Sequence, residues 1–244
     1  MASRPLALLC LASFSLIVAL ACNDSKPVPA RTLFILGDSY AVASAQYLIP
    51  LAQSVQCDAH FANVTKNGWR AEQILEKREP WFPLLEEAPK PVVVYLTIGF
   101  NDMLAPGYEK TPEATAAVVN PLLDLIHDAV APDGGELVLV GYDDLWSLPE
   151  HPVYFAGKRS SLRRELSGMF EKYYAALRVR SAAGSDRSRY RFVDVRGWLG
   201  EELWTNDGIH MLHENYEAQA KLLWNGEFNE ALGCDRVGPD GSSG

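Results

Sequence analysis

Four short segments of the 244-residue chain carry residue types that could act together in nucleophilic chemistry: Gly37-Asp38-Ser39-Tyr40, Asn67-Gly68-Trp69, Gly99-Phe100-Asn101-Asp102 and Asp207-Gly208-Ile209-His210. A serine hydroxyl is a weak nucleophile at neutral pH and needs an adjacent base. Of the five histidines, His210 has an acid three residues before it, so Asp207 could fix its tautomer and stabilise the imidazolium formed as it takes a proton. Each segment also has a plainer reading. Gly-Asp-Ser is equally a turn followed by a helix cap, Gly68 an ordinary turn glycine, and Asn101 a turn residue bonded to its own backbone. Asp207, His210 and His213 are spaced three apart and could alternatively offer oxygen and nitrogen to a metal. No HExxH pattern or cysteine pair lies nearby, and acyl transfer through a serine needs no metal, so no metal or other cofactor is expected.

These segments need a scaffold, and the chain alternates regularly from Thr32 onward. Strands are expected at Thr32–Leu36, His60–Val64, Pro91–Ile98, Glu136–Tyr142 and Tyr190–Val195. Helices are expected at Tyr40–Gln53, from Ala71 to Lys77, over Thr111–Ala131 with Pro112 in its first turn, over Arg159–Arg180, and over His213–Leu232. Apolar runs without alternation argue for a parallel sheet covered on both faces. The expected fold is a single three-layer α/β/α domain around a doubly wound parallel sheet of about five strands. Ligands of such a sheet gather at the carboxyl ends of the strands. All four segments fall on expected strand-to-helix loops.

In that order and placement, the four segments resemble the blocks of the SGNH (GDSL) hydrolase family, whose fold is flavodoxin-like. The resemblance runs from about Thr32 to Ala220 and rests on a dozen or so residues. It implies Ser39 as nucleophile, with Asp207 and His210 completing a triad. It also implies an oxyanion hole built from the Ser39 and Gly68 backbone N–H groups and the Asn101 side-chain amide. Tyr40 stands where the family frequently has Leu. The activity implied is that of a serine esterase cleaving an ester, O-acetyl or thioester bond through an acyl-Ser39 intermediate. An O-acyltransferase acting on envelope or extracellular glycan, and a non-catalytic glycan-binding lipoprotein, are the alternatives. Asp38 and Asp102 are read as acids bracing the loops. Tyr40, Trp69 and Phe100 beside the expected donors, and Trp146 in the aromatic-rich stretch Asp143–Lys158, are candidates for a substrate wall.

The N-terminus reads as an address. A charged start at Met1–Arg4, an apolar stretch to Ala21 and a small-residue exit describe an exported chain with residues 1–21 as signal peptide. Ala19-Leu20-Ala21-Cys22 resembles the lipobox of bacterial lipoproteins, with Ala19 where Leu is usual, which implies lipid attachment at Cys22 and residence in the bacterial cell envelope; a periplasmic or secreted protein is the alternative. Residues 22–31 are then a tether, 32–232 the folded domain and 233–244 a flexible tail. Cys57 and Cys234 remain, and two cysteines in an exported domain are expected to pair. Asp and Glu exceed Lys and Arg by 31 to 22, a net charge of −9. With no dense basic stripe, nucleic acid is excluded as a partner. A small-molecule or glycan ester remains.

Overall fold

A computed structural model of the chain describes residues 31–54, 57–104, 110–143, 168–177, 190–199 and 210–234. Five strands, β1 (Thr32–Gly37), β2 (His60–Thr65), β3 (Val92–Thr97), β4 (Glu136–Val140) and β5 (Arg191–Val193), form one parallel sheet in the order β2-β1-β3-β4-β5. The helices are α1 (Ser39–Ala52), α2 (Ala71–Glu76), α3 (Phe82–Glu87), α4 (Phe100–Leu104), α5 (Pro112–Val130), α6 over residues 168–177, α7 (His213–Leu223) and α8 (Asn229–Ala231). This is the doubly wound α/β arrangement expected from the sequence. The strand order reverses beside β1, and the carboxyl ends of β1 and β3 open onto that switch point.

The two-residue period of the strands divides the core between the faces of the sheet. Phe34, Leu36, Val94, Leu96, Leu137 and Leu139 pack with side chains of α2, α3, α5 and α6. Leu33, Ile35, Val93, Tyr95, Val138 and Val140 pack against α1, α7 and the segment that follows it. Every residue of β1 and β3 is buried, which explains their unbroken apolar runs. β2 is an edge strand, and His60, Phe61 and Asn63 are exposed, so its sequence signal is weak.

Two departures have local causes. Helices α3 and α4 were not foreseen: each is short, and α3 starts with Phe82-Pro83, a proline placement that suits only a first turn. The closing helix is not continuous to Leu232, because a π turn at Trp224–Phe228 separates α7 from α8. That turn buries Trp224 and Phe228 together in the core. Of the helix expected over Arg159–Arg180, residues 168–177 are described and helical.

The chain enters the body at the amino ends of the strands. There the Arg31 guanidinium donates to the Ala231 carbonyl, and Arg191 pairs with Glu136 and Glu227. Cys57 and Cys234 form a disulfide, joining the turn before β2 to the end of the closing helical segment. Among the described residues, no helix is long and apolar enough to cross a membrane.

Candidate active site

The first loop is built so that its serine is left unencumbered. Asp38, not Ser39, is the N-cap of α1, and its Oδ1 accepts from the Tyr40 N–H at 3.1 Å. Ser39 is therefore the first helical residue, and its backbone N–H is one of those a helix start leaves without an intrahelical acceptor. Gly37 adopts φ +143°, and a Cβ there would collide with the Thr97 carbonyl, so β1 ends against β3 at the one point that turns the chain toward the serine.

The second and third loops are stapled to each other. Asn101 Nδ2 donates to the Trp69 carbonyl at 3.1 Å, and the Ala71 N–H donates to Asp102 Oδ2 at 3.0 Å. The segment carrying Gly68 is thereby held beside α4, which carries Asn101. Gly68 sits at φ +76° in the turn closed by the Trp69 N–H on the Lys66 carbonyl. Nothing lies within 4 Å of where its Cβ would be. The glycine is thus required by its backbone angle rather than by crowding within the chain.

From 171 residues further along the chain, His210 brings its Nε2 to 2.8 Å from Ser39 Oγ. In the tautomer protonated at Nδ1, the serine hydroxyl donates to the ring. The Tyr40 ring lies 5.9 Å from the imidazole and edge-on to Tyr142 and Tyr216. His213 faces elsewhere, with its Nδ1 3.1 Å from the Tyr47 hydroxyl.

Ser39, Gly68, Asn101 and His210 all border one open cleft of about 480 Å³, lined also by Val42, Ala43, Gln46, Asn67, Phe100 and Tyr216. Of the expected substrate wall, Phe100 lies on the cleft. Tyr40 does not; it is 3% exposed and packed among aromatic rings. Trp69 is half-buried against the core and is not among the cleft residues. Asp207, Trp146 and Cys22 lie outside the described residues. The residues missed by sequence reading include Val42, Ala43 and Gln46. Their signal was the helical spacing i+3, i+4 and i+7 from Ser39, which puts them on the serine's face of α1.

The two acids read as braces are both buried. Burial pushes the Asp38 carboxyl up to about 7, against the pull of the Tyr142 hydroxyl and the Tyr40 N–H. Burial likewise raises Asp102 to about 6, against the Ala71 N–H and the charges of Lys110 and Arg70.

No protein-family model matches the sequence, and no curated protein matches it. Solved structures do. An assigned acylhydrolase from Bacteroides fragilis superposes with a TM-score of 0.55 at 14% identity, over 91% of this chain and 100% of that one. The periplasmic domain of a lipopolysaccharide acetyltransferase from Salmonella ser. Paratyphi A superposes at 0.52 and 14% identity, over 83% and 84%. A carbohydrate esterase family 2 enzyme with a carbohydrate-binding domain, from Corynascus (Myceliophthora fergusii), superposes at 0.51 and 14% identity, over 86% and 68%. At such identities the likeness establishes the fold, and function must be argued from the site.

Proposed function

We propose that this chain, which has the α/β fold of the SGNH hydrolases, is an exported serine esterase that cleaves an ester, O-acetyl or thioester bond. The observation that carries this reading is the 2.8 Å approach of His210 Nε2 to Ser39 Oγ at the mouth of a cleft shared with Gly68 and Asn101.

In the proposed reaction, Ser39 Oγ attacks the substrate carbonyl carbon as its proton passes to His210 Nε2. The C–O or C–S bond to the leaving group then breaks, and the departing group takes that proton. Water, deprotonated by His210, attacks acyl-Ser39 and releases the acid, returning the hydroxyl to Ser39. Asp207 is the proposed partner of the imidazole. The Ser39 and Gly68 N–H groups and the Asn101 amide are the proposed donors to the tetrahedral oxyanion, a kind of contact worth about 3–4 kcal/mol of barrier each.

Among the described residues, the cleft lining carries no carboxylate, lysine or arginine, which suits a neutral ester on a small molecule or a glycan. The likeness to a carbohydrate esterase agrees with that substrate class. The fold shared with a lipopolysaccharide acetyltransferase domain favours one second reading, in which a sugar hydroxyl replaces water as acceptor. Product analysis with and without a polyol separates the two.

Residence in the bacterial cell envelope, with residues 1–21 removed and a lipid on Cys22, belongs to the same proposal. The Cys57–Cys234 disulfide supports it, since such bonds persist in oxidising compartments. The test of the whole reading is intact-protein mass spectrometry after a fluorophosphonate probe. One adduct on the wild type, absent from Ser39→Ala, is expected. A folded wild type that takes no adduct removes the hydrolase assignment and leaves a glycan-binding lipoprotein.

A further inference from the structure

Tyr142 lies just past β4, buried and away from the cleft lining. Its hydroxyl donates to Asp38 Oδ2 at 2.5 Å and accepts from the Phe100 N–H at 3.2 Å. The directions are fixed by chemistry: a backbone N–H can only donate, so the phenol proton is left for the carboxylate. Asp38 Oδ1 meanwhile caps α1 at the Tyr40 N–H. A single hydroxyl therefore joins the cap of the helix that begins with Ser39 to the first residue of the helix that carries Asn101. The ring is caged edge-on by Tyr40 at 4.9 Å, Phe100 at 5.4 Å and Phe170 at 5.6 Å. It has little freedom to follow if either loop shifts.

We propose that Tyr142 is a positioning residue for acyl transfer: its hydroxyl sets the separation between the Ser39 turn and the Phe100-Asn101 turn, and thus whether the Ser39 N–H and the Asn101 amide reach one oxyanion together. This rests on the acyl-transfer reading above. Tyr142 touches no reacting atom and acts through Asp38 and Phe100. The oxyanion exists only near the transition state, so a slackened separation weakens turnover while leaving ground-state binding nearly intact. Of the influences that draw Asp38 back toward the ordinary carboxylate range, the Tyr142 hydroxyl is the largest. The bond thus favours the ionised acid that both donors need.

The test uses the full chain and four variants: Tyr142→Phe, Asn101→Ala, the double variant and Ser39→Ala. Tyr142→Phe keeps the ring cage and deletes only the bridging hydroxyl. Its kcat on a short-chain aryl ester should fall roughly 10- to 100-fold, with KM within about threefold. In the Asn101→Ala background the same change should cost less than about threefold more, because the donor it positions is already gone. Tyr142→Phe with unaltered kcat, or losses that simply multiply in the double variant, overturns the proposal while a dead Ser39→Ala keeps the esterase reading. Turnover that survives in Ser39→Ala removes both. If Tyr142→Phe does not fold, Asp38→Asn is read in the same cycle. It keeps an oxygen for the Tyr40 N–H but no carboxylate for the Tyr142 proton.

Discussion

His210 Nε2 and Ser39 Oγ meet at 2.8 Å because two helices on the same face of the sheet bring their amino ends together. α1 starts at Ser39, α7 starts three residues after His210, and buried residues of both helices share one core layer. The pairing is thus a product of helix packing and not of local sequence. His210→Ala should lower kcat by about 10⁴-fold or more, with little change in thermal stability, since the imidazole is only partly buried. Steady-state kinetics beside a melting curve checks it, and a loss below tenfold would mean another base serves Ser39.

Asn101 already gives one amide hydrogen to the Trp69 carbonyl, which orients the other. Asn101→Ala should therefore reduce kcat by about 10²-fold and alter KM far less. Asn101→Asp, similar in shape but without donors, should do at least as badly. Equal losses in kcat/KM through KM alone would place Asn101 in ground-state binding.

Tyr40 is buried against Tyr142, Tyr216 and the His210 ring. Replacing it with Leu should cost roughly 2 kcal/mol of stability through lost packing. KM for a series of acyl chain lengths should stay flat. A changed chain-length preference, seen in the same kinetics, would return this residue to the substrate wall.

The buried carboxyls set a pH dependence of stability whose sign is clear. Asp38 binds its proton more tightly in the folded chain, about 7 against 3.8, because of burial, with Asp102 adding to the shift. Folding takes up a proton between those values, so this contribution is fully present below about pH 4 and is lost as pH rises toward 7. A shift of that size corresponds to a few kcal/mol, on the order of 4 at most. Asp102, raised to about 6, acts in the same sense over a narrower window. Urea unfolding from about pH 4 to about pH 8 should show a slope that flattens in Asp38→Asn; an unchanged slope would assign the effect to other groups.

The disulfide closes a loop of 177 residues. In the chain-entropy account, Cys57→Ala with Cys234→Ala should cost about 5 kcal/mol, while the esterase activity of the folded fraction persists. Unfolding with and without reductant measures it. The bond lies near the amino ends of the strands, so activity lost at full folding would be unexpected.

Much of this was legible in the chain. β1 and β3 announced themselves because both of their faces are covered, and the pattern of Gly37-Asp38-Ser39, Gly99 to Asp102 and the late His210 placed three loops on one edge of the sheet. β2 was faint because an edge strand keeps polar residues. Tyr40 lies inward because successive helical residues are rotated by about 100°, so the residue after Ser39 faces the core, a placement that adjacency in sequence does not show. Tyr142 gave no signal, for its importance lies in reaching Asp38 across 104 residues, a relation made by the strand order. At Gly68, what the chain itself demands is the backbone angle, which an isolated glycine in a sequence does not reveal.

The parallel sheet also gives the molecule a direction. Arg31 and the disulfide secure one pole, where the strands begin, and β1 runs about 20 Å from there to the serine at the other. Whatever holds this body by the segment ahead of Arg31, a lipid on Cys22 included, grips it from below the cleft. For a chain anchored as proposed above, the point of attachment and the cleft would then lie at opposite poles of the sheet.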